Sequence, residues 1–246
     1  MWTLYKKEIS SFLTSLIGYI TIFVFLILNG LFLWVIRNTG INVFDSSIAS
    51  LDGLFFISPW LFLFLISAIT MKMFAEERKN GTIELLLTKP ISDTGIILGK
   101  FFAALTIVIL SVLPTMIYMI CVYQLGSPVG NLDTGGILGS YIGLIFLGGV
   151  FCSIGIFSSS LTNNQIVAFI LSILLCLIVY NGFEFISMIP VLRKYDLTIQ
   201  SFGIAYHYNS ISRGVVDSRD VIYFLSAIIL FILLTKISLE SRNWKK

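Results

Sequence analysis

MFAEERKNGTIELLLTKPISDTGIILGKF, residues 73–101, lies between two long apolar runs. With Lys72 at its edge it holds nine of the chain's 29 charged residues. An amphipathic piece, Ile83 to Leu87, sits in its middle. A surface segment that sets charge beside bare leucines is built to dock something. The preceding apolar run continues as a helix through Ala75-Glu76-Glu77-Arg78-Lys79, and Asn80-Gly81 ends it, because glycine tolerates the left-handed conformation at a helix C-terminus. Thr82 caps a short helix in which Ile83, Leu86 and Leu87 share one face at i, i+3 and i+4. Lys89-Pro90 stops that helix, and Ser92 or Asp93 caps the next. A short amphipathic helix held between two rigid struts transmits a push, so whatever moves it moves the flanking spans.

Composition places those struts in a membrane. The 246 residues are 57% hydrophobic and 12% charged, with a mean hydropathy of +0.96. A soluble domain carries about 25% charged residues. Six apolar runs, at about 13–36, 54–75, 95–123, 137–160, 165–189 and 221–239, each come close to or exceed the ~20 residues that cross a bilayer. The fold class is therefore all-α: a polytopic membrane protein forming a single transmembrane domain over 1–246. The first run follows Lys6 and Lys7 but outruns a signal-peptide core of roughly 7–15 residues, and no small-residue cleavage site follows it, so it reads as a retained span. Before it, Trp2, Tyr5, Ile9, Phe12 and Leu13 recur at helical spacing over residues 2–13, the pattern of an amphipathic helix in the membrane interface. Pro114 is placed to kink the third run.

An even number of spans puts both termini on one side. The terminal side and its connections hold eleven Lys/Arg residues against five on the other, so the termini and the 73–101 stretch are expected in the cytoplasm. The longest outer connection, about 190–220, is too apolar for a fully solvated loop, and is expected to dip toward the membrane or cap the bundle. Its His207, the only histidine, sits between Tyr206 and Tyr208 and reads as a packing residue rather than a ligand. The fourth run is crowded with glycine, and Gly139-x-x-x-Gly143 fits close helix approach, within the chain or at a dimer seam.

Enzyme signatures are missing. No phosphate loop occurs: Gly95 to Phe101 is one residue short, ends in Phe and heads a membrane helix. A single histidine excludes a zinc-protease pair, and Cys121, Cys152 and Cys176 lack ligand spacing. No cofactor, metal or nucleic acid is expected to bind the chain directly. Glu184, near the outer end of the fifth run and close to Asn181, is the one acidic residue resembling an intramembrane site. It leaves open an ion-gradient carrier; a membrane anchor of an envelope machine, transporting nothing, is a separate alternative.

Glu77-Arg78-Lys79-Asn80-Gly81-Thr82-Ile83-Glu84-Leu85-Leu86-Leu87-Thr88-Lys89-Pro90-Ile91-Ser92, followed by Leu98-Gly99-Lys100, resembles the E-R-x-x-G-T-x-E-x-L-L-x-x-P-x-S…G-K pattern of ABC-2 type transporter permeases. The span layout, the interfacial helix and the long last outer loop are similar to that family as well. The run from Tyr206 to Asp220 resembles gliding-motility-associated permeases and the membrane subunits of nitrous oxide reductase maturation. The resemblance implies an exporter permease in a bacterial inner membrane, pairing with a second copy or a homologue. Each permease would dock a cytoplasmic ABC ATPase, which alone binds ATP and magnesium, and an auxiliary membrane protein is a further implied partner. The family's coupling helix falls on about Thr82 to Thr88, with Glu76 to Gly81 leading into it. Contact with the ATPase is thus expected at Glu77, Arg78, Gly81, Thr82, Ile83, Glu84, Leu85, Leu86, Leu87 and Pro90. Glu184 and Asn181 stand apart as an outer polar site.

Overall fold

The computed structural model describes residues 1–45, 48–83 and 92–241, with the side chain of Arg193 left out. Glu84, Leu85, Leu86, Leu87 and Pro90, five of the residues expected to contact the ATPase, lie outside the described residues. Helix accounts for 81%, and no strand occurs among the described residues. Among the described residues six helices are long and apolar enough to cross a membrane: Leu16–Val35, Asp52–Lys79, Asp93–Leu125, Thr134–Leu161, Gln165–Ser187 and Ser218–Glu240.

The chain opens with α1 (Trp2–Leu13), which turns at Thr14 into α2 (Leu16–Gly30). The last turn of the first span, Leu31–Val35, is π-helical. The second span is two helices, α3 (Asp52–Thr70) and α4 (Lys72–Lys79), broken at Met71. The third is likewise divided: α5 (Asp93–Val112) passes through a 3-10 turn at Leu113–Thr115, where Pro114 lies, into α6 (Met116–Leu125). Then come α7 (Thr134–Leu161) and α8 (Gln165–Ser187). Two short helices, α9 (Asp196–Gln200) and α10 (Ile204–Ile211), fill the long connection before α11 (Ser218–Glu240). That connection is a folded cap: Ile204, Tyr208 and Ile211 are buried, and Tyr208 donates a hydrogen bond to the Phe55 carbonyl at 2.8 Å.

Helix starts follow local chemistry. Ser15, Ser92, Asp133, Asn164 and Asp217 each accept a hydrogen bond from a first-turn amide of the helix they precede. Such caps satisfy amides that have no partner inside the helix. Inside the bundle, Asn29 is fully buried; its amide donates to the Phe25 carbonyl at 2.9 Å, and its carbonyl oxygen accepts from Ser58 at 3.2 Å.

The glycine-rich helix α7 is the axis of the bundle and packs against α3, α5, α8, α10 and α11. Its small residues are what let the neighbours approach. A Cβ on Gly139 would sit 2.7 Å from the Ile211 carbonyl and 2.9 Å from Gly214 Cα. Gly214 itself has φ +88, a conformation open to glycine. Gly143 lies against the Tyr208 ring. The Gly139-x-x-x-Gly143 pair therefore seats the cap within one chain. At the other end a Cβ on Gly155 would collide with Thr70 Oγ1 and lie 2.8 Å from Thr70 Cβ. Overpacking of this kind costs about 1–3 kcal/mol. Gly155→Val is expected to lower the unfolding temperature of the detergent-solubilised chain, whereas Gly135→Ala, whose nearest neighbour is Asp133 Oδ1 at 3.5 Å, leaves it unchanged. Equal melting curves for the two variants would remove α7 as the axis.

Candidate functional site: a buried lysine joint at the terminal end

Three elements meet where the sequence places the charged elbow. Helix α1 brings Glu8, which shares its packed stripe with Leu4 and Phe12 at four-residue spacing. Helix α4 brings Met73 and Glu77, one turn apart. Helix α5 brings Lys100, which is fully buried. The Lys100 Nζ donates to Glu8 Oε1 at 2.9 Å, to the Met73 carbonyl at 2.7 Å and to Glu77 Oε1 at 2.9 Å. An ammonium has three hydrogens, and all are used. The Phe74 ring centroid lies 5.0 Å from the same nitrogen, adding a cation–π contact. Lys7 approaches Glu77 at 3.7 Å and Glu8 at 4.0 Å from the exposed rim, so two cations face two carboxylates and the cluster is neutral.

A second contact sits next to the joint, at the break between α3 and α4. Ser159 Oγ, on α7, donates to the Met71 carbonyl at 2.9 Å and accepts from the Phe74 and Ala75 amides at 3.0 Å each. Those amides belong to the first turn of α4, which has no capping side chain of its own. A hydroxyl from another helix thus caps the strut where α3 passes into α4. Thr70, at the end of α3, rests on Gly155 one turn earlier on α7.

Beyond the joint, α4 ends as the sequence suggests. Asn80 is the C-cap and Gly81 has φ +69. Thr82 is exposed and already helical, and its hydroxyl donates to the Glu77 carbonyl at 3.4 Å. Ile83 is buried in the chain's own core. Arg78 is half-buried. Glu77 is committed inside the chain through Oε1, while its Oε2 is buried without a hydrogen-bond partner among the described residues. The expected docking residues therefore divide: Glu77 and Ile83 face inward, Gly81 and Thr82 face out. Asn181 and Glu184 lie at the opposite end of the bundle, on α8, and line one cavity there.

The model of the ABC-2 family transporter protein matches residues 2–236. The chain belongs to the ABC-2 transporter family. None of the curated proteins matches it. Membership makes it the membrane permease subunit of an ABC transporter and implies a partner ABC ATPase subunit. In this permease the Lys100 joint ties three things together: the helix at the N-terminus, the strut that leads toward residues 84–91, and the head of the helix that leads away from them.

Sequence reasoning missed Glu8 and Ser159, and met Lys100 only as the last residue of the family pattern, with no role given to it. Glu8 interrupts an otherwise apolar stripe, Leu4 to Phe12, and that is the signal that it faces a partner. Lys100 lies two turns inside a membrane helix between Gly99 and Phe101, where a solvated lysine has no outlet. Removing one member of a buried ion cluster costs about 3–5 kcal/mol, because the remaining charge is stranded. Lys100→Met is expected to destabilise the permease by that order. Adding Glu8→Gln and Glu77→Gln, which removes the stranded charges, restores most of the loss. The check is chemical or thermal unfolding in detergent; a single mutant as stable as the parent would refute the joint.

Proposed function

We propose that this chain is the passive membrane half of an ATP-driven exporter in a bacterial inner membrane. It pairs with a second copy or a homologue, and its termini and the 73–101 stretch face the cytoplasm. An ABC ATPase grips the 82–88 segment, and ATP and magnesium stay on that partner. The excess of eleven Lys/Arg residues over five on the terminal side supports this orientation. The likeness of Tyr206 to Asp220 to gliding-motility permeases supports a role in motility or envelope export, with an auxiliary membrane subunit.

The observation that carries this reading is the buried Lys100. Residues 84–91 are bounded by Ile83, packed into the core, and by Ser92, the cap of α5. Force applied between these two points enters α4 and α5 together, since Lys100 bonds across them. It reaches α7 through Ser159 and α1 through Glu8. Power generated outside the membrane is thereby delivered to four helices at once.

Leu86 would supply the apolar contact with the ATPase. Burying a charge there forfeits a hot spot worth about 2 kcal/mol or more, roughly a 30-fold weaker complex. Leu86→Asp is expected to insert normally, lose co-purification with the ABC ATPase and abolish ATP-dependent transport in vesicles. A variant that still co-purifies and sustains full activity would overturn the assignment.

A further inference from the structure

At the end of the bundle away from the termini, two cavities of about 350 and 590 Å³ adjoin. They share Tyr180, Glu184, Ala205 and Asn209, so they form one cleft between α8, the cap and the start of α3. Gln200, Ser140, Tyr208 and Ser212 in its wall are bonded within the chain, whereas two others are not. Asn181 is 7% exposed and Tyr180 8% exposed, yet neither side chain makes a hydrogen bond with the described residues. Elsewhere in the bundle such groups are paired, as Asn29 is with Ser58 and Ser67 with Ser172. An amide and a phenol that line a cavity and bond to none of the described residues are available to whatever binds there.

Charge is distributed in the same way. Glu184 and Arg213 line the smaller cavity without forming an ion pair with each other. Asp52 adds a second carboxylate to the larger one. The remaining wall is aromatic: Phe56, Trp60 and Phe185 are 63%, 37% and 55% exposed, and they open the cleft sideways along the apolar flanks of α3 and α8. Asp52 begins α3 and Glu184 lies in the last turn of α8, so the charges sit at the ends of these spans, with Trp60 two turns deeper.

A cleft with separated opposite charges at its rim and an aromatic side door fits one class of ligand. We propose that it binds a zwitterionic amphiphile. The ammonium faces Glu184 and Asp52, the phosphate faces Arg213, the head-group linkage bonds Asn181 and Tyr180, and the chains leave past Phe56 and Trp60. This assignment depends on the exporter reading only for its role as a transport site. Binding is measured without an ATPase, so either idea can fail alone.

The test is native mass spectrometry of the full purified chain with equimolar phosphatidylethanolamine, phosphatidylglycerol and diacylglycerol, and separately with free phosphoethanolamine. Phosphatidylethanolamine is expected to be retained preferentially. Glu184→Gln and Arg213→Gln should each weaken it about tenfold, the scale of one charge-assisted contact. Lys236→Gln, toward the C-terminal end of α11 and lining neither cavity, should have no effect. Asn181→Leu should weaken binding while leaving the unfolding temperature equal or higher, which a purely structural asparagine would not do. Equal retention of phosphatidylglycerol, indifference to the Glu184 and Arg213 changes, or a loss of stability in Asn181→Leu would overturn the proposal. Binding of free phosphoethanolamine as tightly as the lipid would overturn the amphiphile and leave a small-molecule site.

Discussion

An ammonium shut away from water must find an acceptor for each of its hydrogens, and Lys100 finds all three on two other helices. This requirement fixes the terminal end of the permease. Buried ion clusters are weak sources of net stability, because desolvation offsets much of the attraction. Apolar side chains of similar volume would hold α1, α4 and α5 together about as well. They would not demand one arrangement. Sliding α4 by a turn would carry Glu77 and the Met73 carbonyl away from the nitrogen at once, stranding a charge. The cluster sets register, and register is what a mechanical linkage needs.

The glycines of α7 answer a complementary need. Helices driven from one end must remain in contact along their length if movement is to reach the other. Gly155 at Thr70, Gly148 at Val108 and Gly139 at Gly214 bring backbones or short side chains within direct contact at three levels of the bundle. Close-packed interiors switch between arrangements rather than deform smoothly. The axis therefore links the joint at the terminal end with the cap at the far end, where His207 holds the cap in place. Its Nε2 donates to the Ser201 carbonyl at 2.8 Å, its Nδ1 meets Asp220 Oδ1 at 2.7 Å, and its ring stacks on Tyr223 at 3.9 Å.

Much of this architecture is legible in the sequence. Hydropathy alone marks six spans, because a bilayer penalises polar backbone and charge over a fixed length. The period of Trp2 to Leu13 marks α1, and Asn80-Gly81 marks the end of the strut. His207 reads correctly as a packing residue, though its tie to Asp220, across the turn into α11, depends on tertiary contact. The joint is far less legible. Glu77 reads as a docking charge, and although the stripe around Glu8 and the depth of Lys100 signal that each has a partner, only the fold reveals that these two point at one another across 92 residues of chain. Ser159 is equally silent: three consecutive serines at 158–160 suggest small-residue packing, and nothing local says that one of them caps a helix elsewhere. The cleft at Asn181 and Glu184 is half legible. Their polarity near a span end is visible, whereas the approach of Arg213 and Asn209 depends on how the cap folds back.

The tripod at Lys100 also limits which cations can occupy that position. A tetrahedral head on a slim stem can aim at two carboxylates and a carbonyl lying in different directions. Arginine carries the same charge on a flat fork whose donors lie in one plane. Placed among the same three acceptors it would satisfy the carboxylates only by abandoning the Met73 carbonyl or pushing α1 outward. Lineages of this permease should therefore exchange the residue together with its acidic partners, or keep it as lysine, and treat the usual trade between the two basic side chains as closed.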